Sequence, residues 1–469
     1  MLYHREVPQG GIYDVIVAGG GPAGFAAAIS AARQGLKTLL LELNGCLGGT
    51  ATAGALPFYL GSMTGSIPFR QMVEKGLCYR DLPRPRTAVR GIFGETIQRI
   101  RSAGGGIGPC VLAQTDRWPG LDRLGCHDEF TFDLETGKRV FDEMAEEAGV
   151  HLLFYTQVID VACDGERVQG VYTCNKDGIT FYEAKAFLDC TGDADLVDRA
   201  GFLTYKGDRE TGEMCAVNLV AHLENIDSAK LEAYLNQGGD PWFGDICKRM
   251  QKEHPDLDLP DHLIIFPMVQ EGVFMINGGT SFTDYDGTNA ESLTALTLRG
   301  RKRAKILAER LFRTMIPGGE HCRVRLTASY PGIRETRRIV AEYGLTEEDL
   351  LEGRTFPDTI AFAGRHFDLG RKTGQPFHQR NLSVKGGIAS IPYRCMIPKG
   401  SKNLLAAGRC IHADGQALGP ARIMSTCYAV GEAAGQAAYL SLRDNKAFRE
   451  VNTDELRDRL RKSGAEIDL

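Results

Sequence analysis

The stretch from residue 13 to residue 42 constrains the fold more than any other part of this chain. A short apolar run at 15–18 precedes the turn Gly-Gly-Gly-Pro-Ala-Gly at 19–24, and an alanine-rich segment, Gly35, a second apolar run and Glu42 follow. Short apolar runs are typical of buried parallel strands. Small residues that end at a glycine favour a helix. The pattern predicts a strand, a tight turn, a helix and a second parallel strand.

The turn has the G-x-G-x-x-G spacing found in dinucleotide-binding proteins, and each glycine has its own physical role. Gly19 permits the sharp turn, Gly21 lets the backbone approach a pyrophosphate, and Gly24 lets helix and strand pack closely. The helix that follows would direct unpaired N–H groups and a partial positive charge at the phosphates. Glu42 lies 18 residues past Gly24, where a carboxylate can accept hydrogen bonds from ribose hydroxyls.

The composition is that of an ordinary globular protein. Its residues are 43% hydrophobic and 25% charged. A chain of 469 residues is too long for one core and long enough for two interleaved domains. The net charge of −5 and the absence of a long basic run argue against nucleic acid and anionic membranes as partners. No apolar run approaches the ~20 residues of a spanning helix. The first 11 residues lack an apolar signal core, so we expect a cytoplasmic protein.

The cysteines give no sign of a metal or disulfide framework. Thirteen are scattered along the chain, and none form a C-x-x-C pair. This argues against a zinc ribbon, an iron–sulfur cluster and a dithiol redox motif, so we predict no metal site. An odd, scattered set is typical of free thiols in a reducing compartment.

The remaining pattern predicts a nucleotide domain interrupted by a second domain. The predicted helices cover 91–103, 135–149, 289–315 and 425–442. The predicted strands cover 152–155, 158–163, 168–174, 180–183, 187–190 and 403–407, with strands of a second sheet in 213–224 and 263–277. We therefore predict an α/β fold: a Rossmann-like three-layer dinucleotide-binding domain from 1–202 and 385–469, with an inserted α+β substrate domain at 203–384.

Five stretches carry a family resemblance. They are the glycine turn, Cys-Leu-Gly-Gly-Thr-Ala-Thr at 46–52, Asp-Cys-Thr-Gly-Asp-Ala-Asp at 189–195, Arg-Glu-Thr-Arg-Arg-Ile at 334–339 with Leu-Thr-Glu-Glu-Asp-Leu at 345–350, and Asn-Leu-Leu-Ala-Ala-Gly-Arg at 403–409 with Ala-Arg-Ile-Met at 421–424. The set resembles the FAD-dependent oxidoreductases of the glutathione-reductase-like class. More narrowly, it resembles a family related to the flavin subunit of heterodisulfide reductase. The resemblance covers roughly residues 13–440 and implies FAD as the cofactor.

The resemblance implies cofactor contacts from segments far apart in the chain. Glycines at 48, 49 and 192 would let the flavin pass close to the backbone. The helix after residue 424 would direct its positive end at the flavin and stabilise the anionic reduced ring. The residues predicted to bind FAD are Gly19, Gly21, Pro22, Ala23, Gly24, Glu42, Gly48, Gly49, Thr50, Val158, Thr191, Gly192, Asp193, Gly408, Arg409, Arg422, Ile423 and Met424.

Two positions leave alternatives open. The class often has Gly-Asp or Gly-Glu where this chain has Gly408 and Arg409, although an arginine suits a pyrophosphate. Cys46, beside the glycine pair at 48–49, could carry a covalent flavin link or could be a small buried residue.

The candidate catalytic residues are arginines and histidines. Arg422 resembles the arginine that clamps a substrate carboxylate in succinate dehydrogenase and fumarate reductase flavoproteins, and the alternatives are a salt bridge or a flavin contact. His366, His378 and His412 lie in stretches expected to face the flavin, and histidine suits proton transfer near neutral pH. Each could instead be structural. Arg334 would line the substrate pocket or form part of an ion-paired surface.

These observations predict a soluble FAD-dependent oxidoreductase. It would pass hydride between flavin N5 and a small organic substrate, with a carboxylate if Arg422 acts as a clamp, and a separate electron acceptor or donor would complete turnover. The alternative is an electron-relay flavoprotein subunit of a larger redox complex, against which the absence of cysteine clusters argues. An NAD-binding dehydrogenase and an FAD-binding sensor also remain open. The sequence is compatible with a homo-oligomer.

Overall fold

The computed structural model describes residues 6–64, 86–108, 130–209, 211–279, 281–365, 367 and 384–469. The predicted sites at His366 and His378 lie outside the described residues.

Most of the strands are short. In chain order they are β1 (Gln9–Ala18), β2 (Thr38–Leu41), β3 (Phe58–Tyr59), β4 (Gly106–Ile107), β5 (Phe130–Phe132), β6 (His151–Leu153), β7 (Gln157–Asp164), β8 (Arg167–Asn175), β9 (Gly178–Asp189), β10 (Thr204–Lys206), β11 (Val217–Asn218), β12 (Ala221–Glu224), β13 (Ile265–Pro267), β14 (Phe274–Ile276), β15 (Ser281–Phe282), β16 (Arg323–Thr327), β17 (Arg337–Ile339), β18 (Thr359–Ala363), β19 (Ala389–Pro392) and β20 (Leu404–Ala406).

The helices lie between these strands and after the last of them. They are α1 (Pro22–Ala32), α2 (Ile92–Ser102), α3 (Leu134–Glu147), α4 (Asp195–Arg199), α5 (Ser228–Asn236), α6 (Gly244–Glu253), α7 (Ala290–Ile306), α8 (Arg313–Met315), α9 (Glu347–Glu352), α10 (Leu418–Ala421), α11 (Met424–Asp444) and α12 (Thr453–Lys462). Of the helices within the described residues, none combines the length and the apolar character needed to cross a bilayer.

The described residues contain a seven-stranded sheet that organises the first domain. β1 pairs in parallel with β2 and β9, β2 pairs with β6, and β20 pairs with β9. The apolar, buried stretches of this sheet are 15–18 of β1, 39–41 of β2, 186–188 of β9 and all of β20, as expected where both faces of a parallel sheet are covered. Their register places Ala18 beside Leu41 and Asp189, and Asp189 beside Ala406. The carboxyl ends of β1, β2, β9 and β20 therefore meet at one edge.

Helices cover one face of this sheet. α11 crosses α1 where a Cβ on Gly431 would overlap the Ala23 carbonyl oxygen and one on Gly435 would lie 2.6 Å from the Ala27 carbonyl oxygen. The two glycines therefore allow a closeness that no other residue permits. β8 pairs antiparallel with β9, and β7 pairs antiparallel with β8. Val158 of β7 and Val171 of β8 pack in the core on the second face of the sheet. The predicted α/β, three-layer Rossmann-like domain is confirmed.

Three elements differ from the sequence predictions. The strands predicted at 180–183 and 187–190 are one strand, β9, because β1 pairs with it along nearly its whole length. Each of the segments 213–224 and 263–277 contains two short strands. The helix predicted at 289–315 is α-helical in α7, π-helical at Leu307–Phe312 and α-helical again in α8.

The second domain has its own core. Its antiparallel sheet has the order β13-β14-β12-β16, and the core lies between this sheet and surrounding helices, with Leu223, Leu263 and Phe312 fully buried. Leu345 and Ile360 pack instead in the first domain's core with Phe25. The segment predicted as the insertion, 203–384, is thus divided between two cores.

Candidate functional site

A cleft opens at the carboxyl edge of the parallel strands. Gly19 after β1, Glu42 after β2, Thr191 after β9 and Gly408 after β20 all line it. It encloses about 1130 Å³ of space between its walls, a figure that includes open solvent. Open α/β sheets bind ligands at this edge.

The three glycines of the turn have two different structural roles. Gly19 has φ +94°, and a Cβ there would lie 2.5 Å from the Cys190 carbonyl oxygen. A Cβ on Gly24 would overlap the Gly19 carbonyl oxygen. Gly21, in contrast, has φ −67°, and the nearest atom to its Cβ position is the Gly49 Cα at 4.0 Å. Gly19 and Gly24 are thus required by packing, whereas Gly21 keeps space open for a ligand.

The second glycine pair approaches this turn. Gly48 and Gly49 have φ +96° and +50°, in the left-handed region that favours glycine. The Gly48 N–H donates to the Gly20 carbonyl oxygen at 2.8 Å. A Cβ on Gly49 would lie 2.9 Å from the Gly21 Cα. Gly49 and Thr50 line the cleft, and Gly48 supports them from behind.

Glu42 is held in place for hydrogen bonding in the cleft. The residue is 5% exposed; its Oε2 accepts from the Gly20 N–H at 2.6 Å, and its Oε1 accepts from the N–H and Nδ2 of Asn44, both at 2.7 Å. Burial raises the pKa of this carboxyl, while the bonds from Asn44 and Gly20 lower it. A carboxylate oxygen accepts about two hydrogen bonds, so Oε2 retains capacity for a ribose hydroxyl.

The loop after β9 is fixed by a buried carboxylate. Asp189 is fully buried, and its Oδ1 accepts from the N–H of Thr191 at 3.1 Å and from its hydroxyl at 2.7 Å. Its Oδ2 accepts from the N–H groups of Leu196 and Val197 at 2.8 and 2.9 Å. Burial raises the pKa of Asp189 to about 6. These four bonds place Thr191 and Gly192 on the cleft wall.

Arg409 has a protein partner. Its guanidinium contacts the Asp193 carboxylate at 2.8 Å and the Thr336 hydroxyl at 3.1 Å. A Cβ on Gly192 would lie 2.8 Å from its Nε. The pyrophosphate contact predicted for Arg409 is therefore not favoured, because its charge is already balanced by Asp193.

Two helix N-termini face the cleft. Pro22 and Ala23 of α1 line it, and so does Met424 at the start of α11. Gly408, with φ +98°, brings β20 against α1: a Cβ there would lie 3.1 Å from the Ala23 Cβ. The partial positive charges of both helices are thus directed into one space.

Most of the predicted cofactor residues meet in this cleft. Lining it are Gly19, Gly21, Pro22, Ala23, Glu42, Gly49, Thr50, Val158, Thr191, Gly192, Asp193, Gly408, Arg409, Arg422 and Met424. Gly24 and Gly48 are packing positions behind the wall. Ile423 lines a neighbouring cavity instead.

This neighbouring cavity, of about 540 Å³, lies between the two domains. Both spaces are lined by Thr50, Arg409, Arg422 and Met424. Among the described residues lining the second are a single aspartate, Asp261, and five arginines: Arg303, Arg334, Arg365, Arg409 and Arg422. A ligand there would lie beside whatever occupies the first cleft. We refer to the two spaces as the cofactor cleft and the substrate cavity.

The sequence profile of a family described as FAD dependent oxidoreductase matches residues 14–460. The chain belongs to this family. It is an enzyme, and FAD is its cofactor. The cofactor cleft fits that cofactor: Gly21 leaves room for a diphosphate, α1 directs N–H groups at it, and Glu42 retains an acceptor for a ribose.

Curated relatives of this FAD-dependent oxidoreductase match only in part. A dihydrolipoyl dehydrogenase of Trypanosoma brucei brucei is 49% identical over 57 residues, which is 12% of each chain. A tRNA uridine 5-carboxymethylaminomethyl modification enzyme of Lactobacillus johnsonii is 33% identical over 148 residues, 29% of this chain and 20% of that one. The chain thus spans a fifth or less of the length of these relatives.

Solved structures resemble the chain over most of its length at low identity. A geranylgeranyl bacteriochlorophyll reductase-like protein of Thermoplasma acidophilum is 14% identical, with a TM-score of 0.45 over 97% of this chain and 84% of that one. The p-nitrophenol 4-monooxygenase of Pseudomonas putida is 13% identical, with a TM-score of 0.46 over 96% and 85%.

The predicted catalytic arginines lie at the substrate cavity, and the described histidine does not. Arg334 and Arg422 both line it. His412 lines neither space; its Nδ1 accepts from the Ala341 N–H at 3.0 Å, its Nε2 contacts Arg209, and burial lowers its pKa to about 4. This position does not favour proton transfer to a substrate.

Tyr330 forms part of the cofactor cleft from the second domain. Its backbone N–H donates to the Ala53 carbonyl oxygen at 3.1 Å, and its side chain lines the cleft. Burial, together with the nearby Asp193 charge, raises its pKa to about 12, so the phenol stays protonated.

Other site residues were missed altogether. Asn44 follows Glu42 so closely that the ribose acid could have indicated it. Arg303, Arg365 and His262 line the substrate cavity from separate elements, and no local motif marks them.

Proposed function

We propose that this enzyme oxidises or reduces a small, carboxylate-bearing organic substrate by hydride transfer. The observation that carries the proposal is the composition of the substrate cavity, where five arginines and a single aspartate are found among the described lining residues. A guanidinium presents two parallel donors that match a carboxylate. The cavity joins the cofactor cleft, so a bound substrate would lie next to FAD.

Arg422 is the residue best placed to hold the substrate carboxylate. It lines both spaces and therefore lies where a ligand in the substrate cavity would meet the cofactor. Arg409 also lines both spaces, and its guanidinium contacts the Asp193 carboxylate at 2.8 Å. Arg334 lines the substrate cavity alone and donates to the Ala216 carbonyl oxygen at 2.8 Å, which orients its guanidinium. Holding the substrate by its carboxylate fixes the position of its reacting carbon.

FAD, when bound, supplies the hydride chemistry at flavin N5. The chain supplies electrostatics and orientation. The N-terminus of α11 presents partial positive charge where Met424 borders both spaces, which stabilises negative charge developing there. The Tyr330 phenol, protonated at neutral pH, offers a hydrogen-bond donor in the cofactor cleft.

The substrate cavity favours an enzyme acting on a small molecule over an electron relay. Its volume of about 540 Å³ lies within the ~300–1,000 Å³ of small-molecule sites, whereas a relay needs only access to the cofactor edge. A separate electron acceptor or donor would complete the cycle. The narrower kinship with heterodisulfide reductase subunits stays a prediction.

Anaerobic reduction of the FAD-loaded enzyme tests the proposal. Carboxylic acids would be compared with their methyl esters while the absorbance of oxidised flavin is followed. We expect bleaching by an acid and at least ten-fold slower bleaching by its ester. Arg422→Met should abolish that preference, and Arg422→Lys should retain part of it. Equal rates with acid and ester in the wild type would contradict the proposed carboxylate site.

A further inference from the structure

We propose that the substrate is amphipathic: a single carboxylate at the inner end of the cavity, carried on an extended apolar body that reaches toward the surface. This inference rests on the proposed function and narrows its substrate class. It excludes compact hydroxy acids and diacids as the preferred ligands.

The cavity has an inner and an outer end. Arg422 and Thr50 also line the cofactor cleft, so their end of the cavity is the inner one. Asp261 and Thr283 line the cavity and are exposed, and the Asp261 side chain is 80% accessible. The mouth therefore lies on the second domain, and a ligand entering there reaches the cofactor with its inner end among the arginines.

The wall between these ends is largely apolar. The side chains that form it are Leu56, Phe58, Leu60, Ile264, Ile333 and Ile423. Phe58 is only 2% exposed and packs on Phe266 with ring centroids 4.5 Å apart, so this part of the wall is held firmly. A ligand with an apolar body would remove its own apolar surface and that of the wall from water. Each methylene buried in this way raises the affinity about four-fold.

The charges favour one anionic group over two. Arg303 is 7% exposed, pairs with Asp258 and lies over the Phe282 ring at 4.3 Å, so its charge is already balanced within the protein. Asp261, whose carboxylate contacts His262 Nδ1 at 2.7 Å, lies at the mouth and presents an anionic group to any second carboxylate there. The mouth thus carries a carboxylate, whereas Arg422 and Arg409 lie at the inner end, so an anionic group is favoured at the inner end.

The size of the cavity also favours a ligand with an extended apolar body. The cavity, at about 540 Å³, is much larger than a diacid as small as succinate, which would leave a large part of it to water. An acid with a medium-length chain or a ring system would fill it and displace that water from the apolar wall.

Calorimetric titration of the FAD-loaded enzyme tests this inference. The probes are butanoate, hexanoate and octanoate, with octanamide, succinate and the eight-carbon diacid suberate. We expect affinity to rise about four-fold per methylene from butanoate to octanoate. Octanoate should bind at least ten-fold more tightly than suberate, succinate or octanamide.

A variant pair assigns the effect to the wall. Ile264→Asn should weaken octanoate binding at least ten-fold and leave butanoate binding within two-fold. Leu298→Asn, at a 54% exposed position on α7, is the matched control and should change neither. If Ile264→Asn does not retain FAD, the series from butanoate to octanoate on the wild type still tests whether affinity rises with the length of the apolar chain.

The outcomes separate the two proposals. A flat chain-length series, or diacids that bind as tightly as octanoate, would overturn the amphipathic substrate and leave a carboxylate site in place. Octanamide binding as tightly as octanoate would overturn the carboxylate site itself, and with it both proposals.

Discussion

The cofactor cleft and the substrate cavity lie side by side but are built differently. The cofactor cleft is lined by the loops that follow β1, β2, β9 and β20, where Gly19, Gly192 and Gly408 expose the backbone, and by two helix N-termini. The substrate cavity consists of side chains such as Leu56, Arg303 and Arg365, which come from distant parts of the chain. A site made of backbone is encoded locally by glycines, whereas a site made of side chains depends on how two domains pack.

The largest expected effect is at Gly21. Gly21→Val should leave the chain folded and abolish FAD retention, because the backbone angles suit any residue and the side chain would occupy space reserved for the diphosphate. The ratio of flavin to protein absorbance after purification, with far-UV circular dichroism, measures both properties. Stoichiometric FAD in this variant would contradict the geometry of the turn.

Gly24 is the matched contrast. Gly24→Ala places a methyl group into the Gly19 carbonyl oxygen, so it should destabilise the apoprotein itself. Substitutions at two glycines of one motif are thus expected to cause different defects: loss of FAD binding at Gly21 and loss of stability at Gly24. A stable Gly24→Ala protein that merely binds FAD weakly would show that Gly24 has no packing role.

The next effect concerns the segment where the two spaces meet. His222, 4% exposed, donates from Nε2 to the Ala55 carbonyl oxygen at 2.8 Å and thereby ties the second domain to the loop after Gly49. Burial lowers its pKa to about 4. The unfolded chain takes up a proton below about pH 6.5 and the folded one does not, so stability should fall by about 3 kcal/mol between pH 6.5 and 4.

Urea unfolding at a series of pH values measures this dependence. His222→Gln should reduce the loss of unfolding free energy between pH 6.5 and 4. Part of that loss will remain, because the pKa of His412 is also lowered to about 4. His321→Gln, at an exposed position, is the control and should follow the wild type. An unchanged loss of unfolding free energy in His222→Gln would show that this histidine is not held neutral.

A smaller effect is expected at Arg334, which lines the substrate cavity but not the cofactor cleft. Arg334→Met should weaken binding of a carboxylate ligand by about 10- to 100-fold, since hydrogen bonds to charged groups are worth about 1.5–3 kcal/mol. FAD affinity, measured by flavin fluorescence, should stay within two-fold. Loss of FAD together with the ligand would mean that the two spaces are not separable.

The smallest effect is expected at Ser329, whose hydroxyl donates to the Ala53 carbonyl oxygen at 3.0 Å. The same oxygen also accepts from the N–H groups of Ser329 and Tyr330 at 3.1 Å. Ser329→Ala should therefore cost only about 0.5–1.5 kcal/mol of unfolding free energy. A loss above about 3 kcal/mol would show that the hydroxyl is essential to the domain contact.

The residues of the cofactor cleft could be predicted from the sequence better than those of the substrate cavity, for a physical reason. The turn at 19–24 and the acid at 42 are fixed by spacing along one βαβ unit, so their positions follow from the pattern. The role of Arg409 could not be predicted, because its partner Asp193 lies more than 200 residues away in the chain. His412 likewise depends on Ala341 and Arg209, which no local pattern connects to it.

The most direct test of this account is a crystal structure of the FAD-loaded enzyme. We expect the diphosphate within hydrogen-bond distance of N–H groups in the first turn of α1, close to Gly21, and the flavin ring at the N-terminus of α11, next to the arginine-lined cavity. A diphosphate bound elsewhere, or a flavin ring that does not border that cavity, would contradict it.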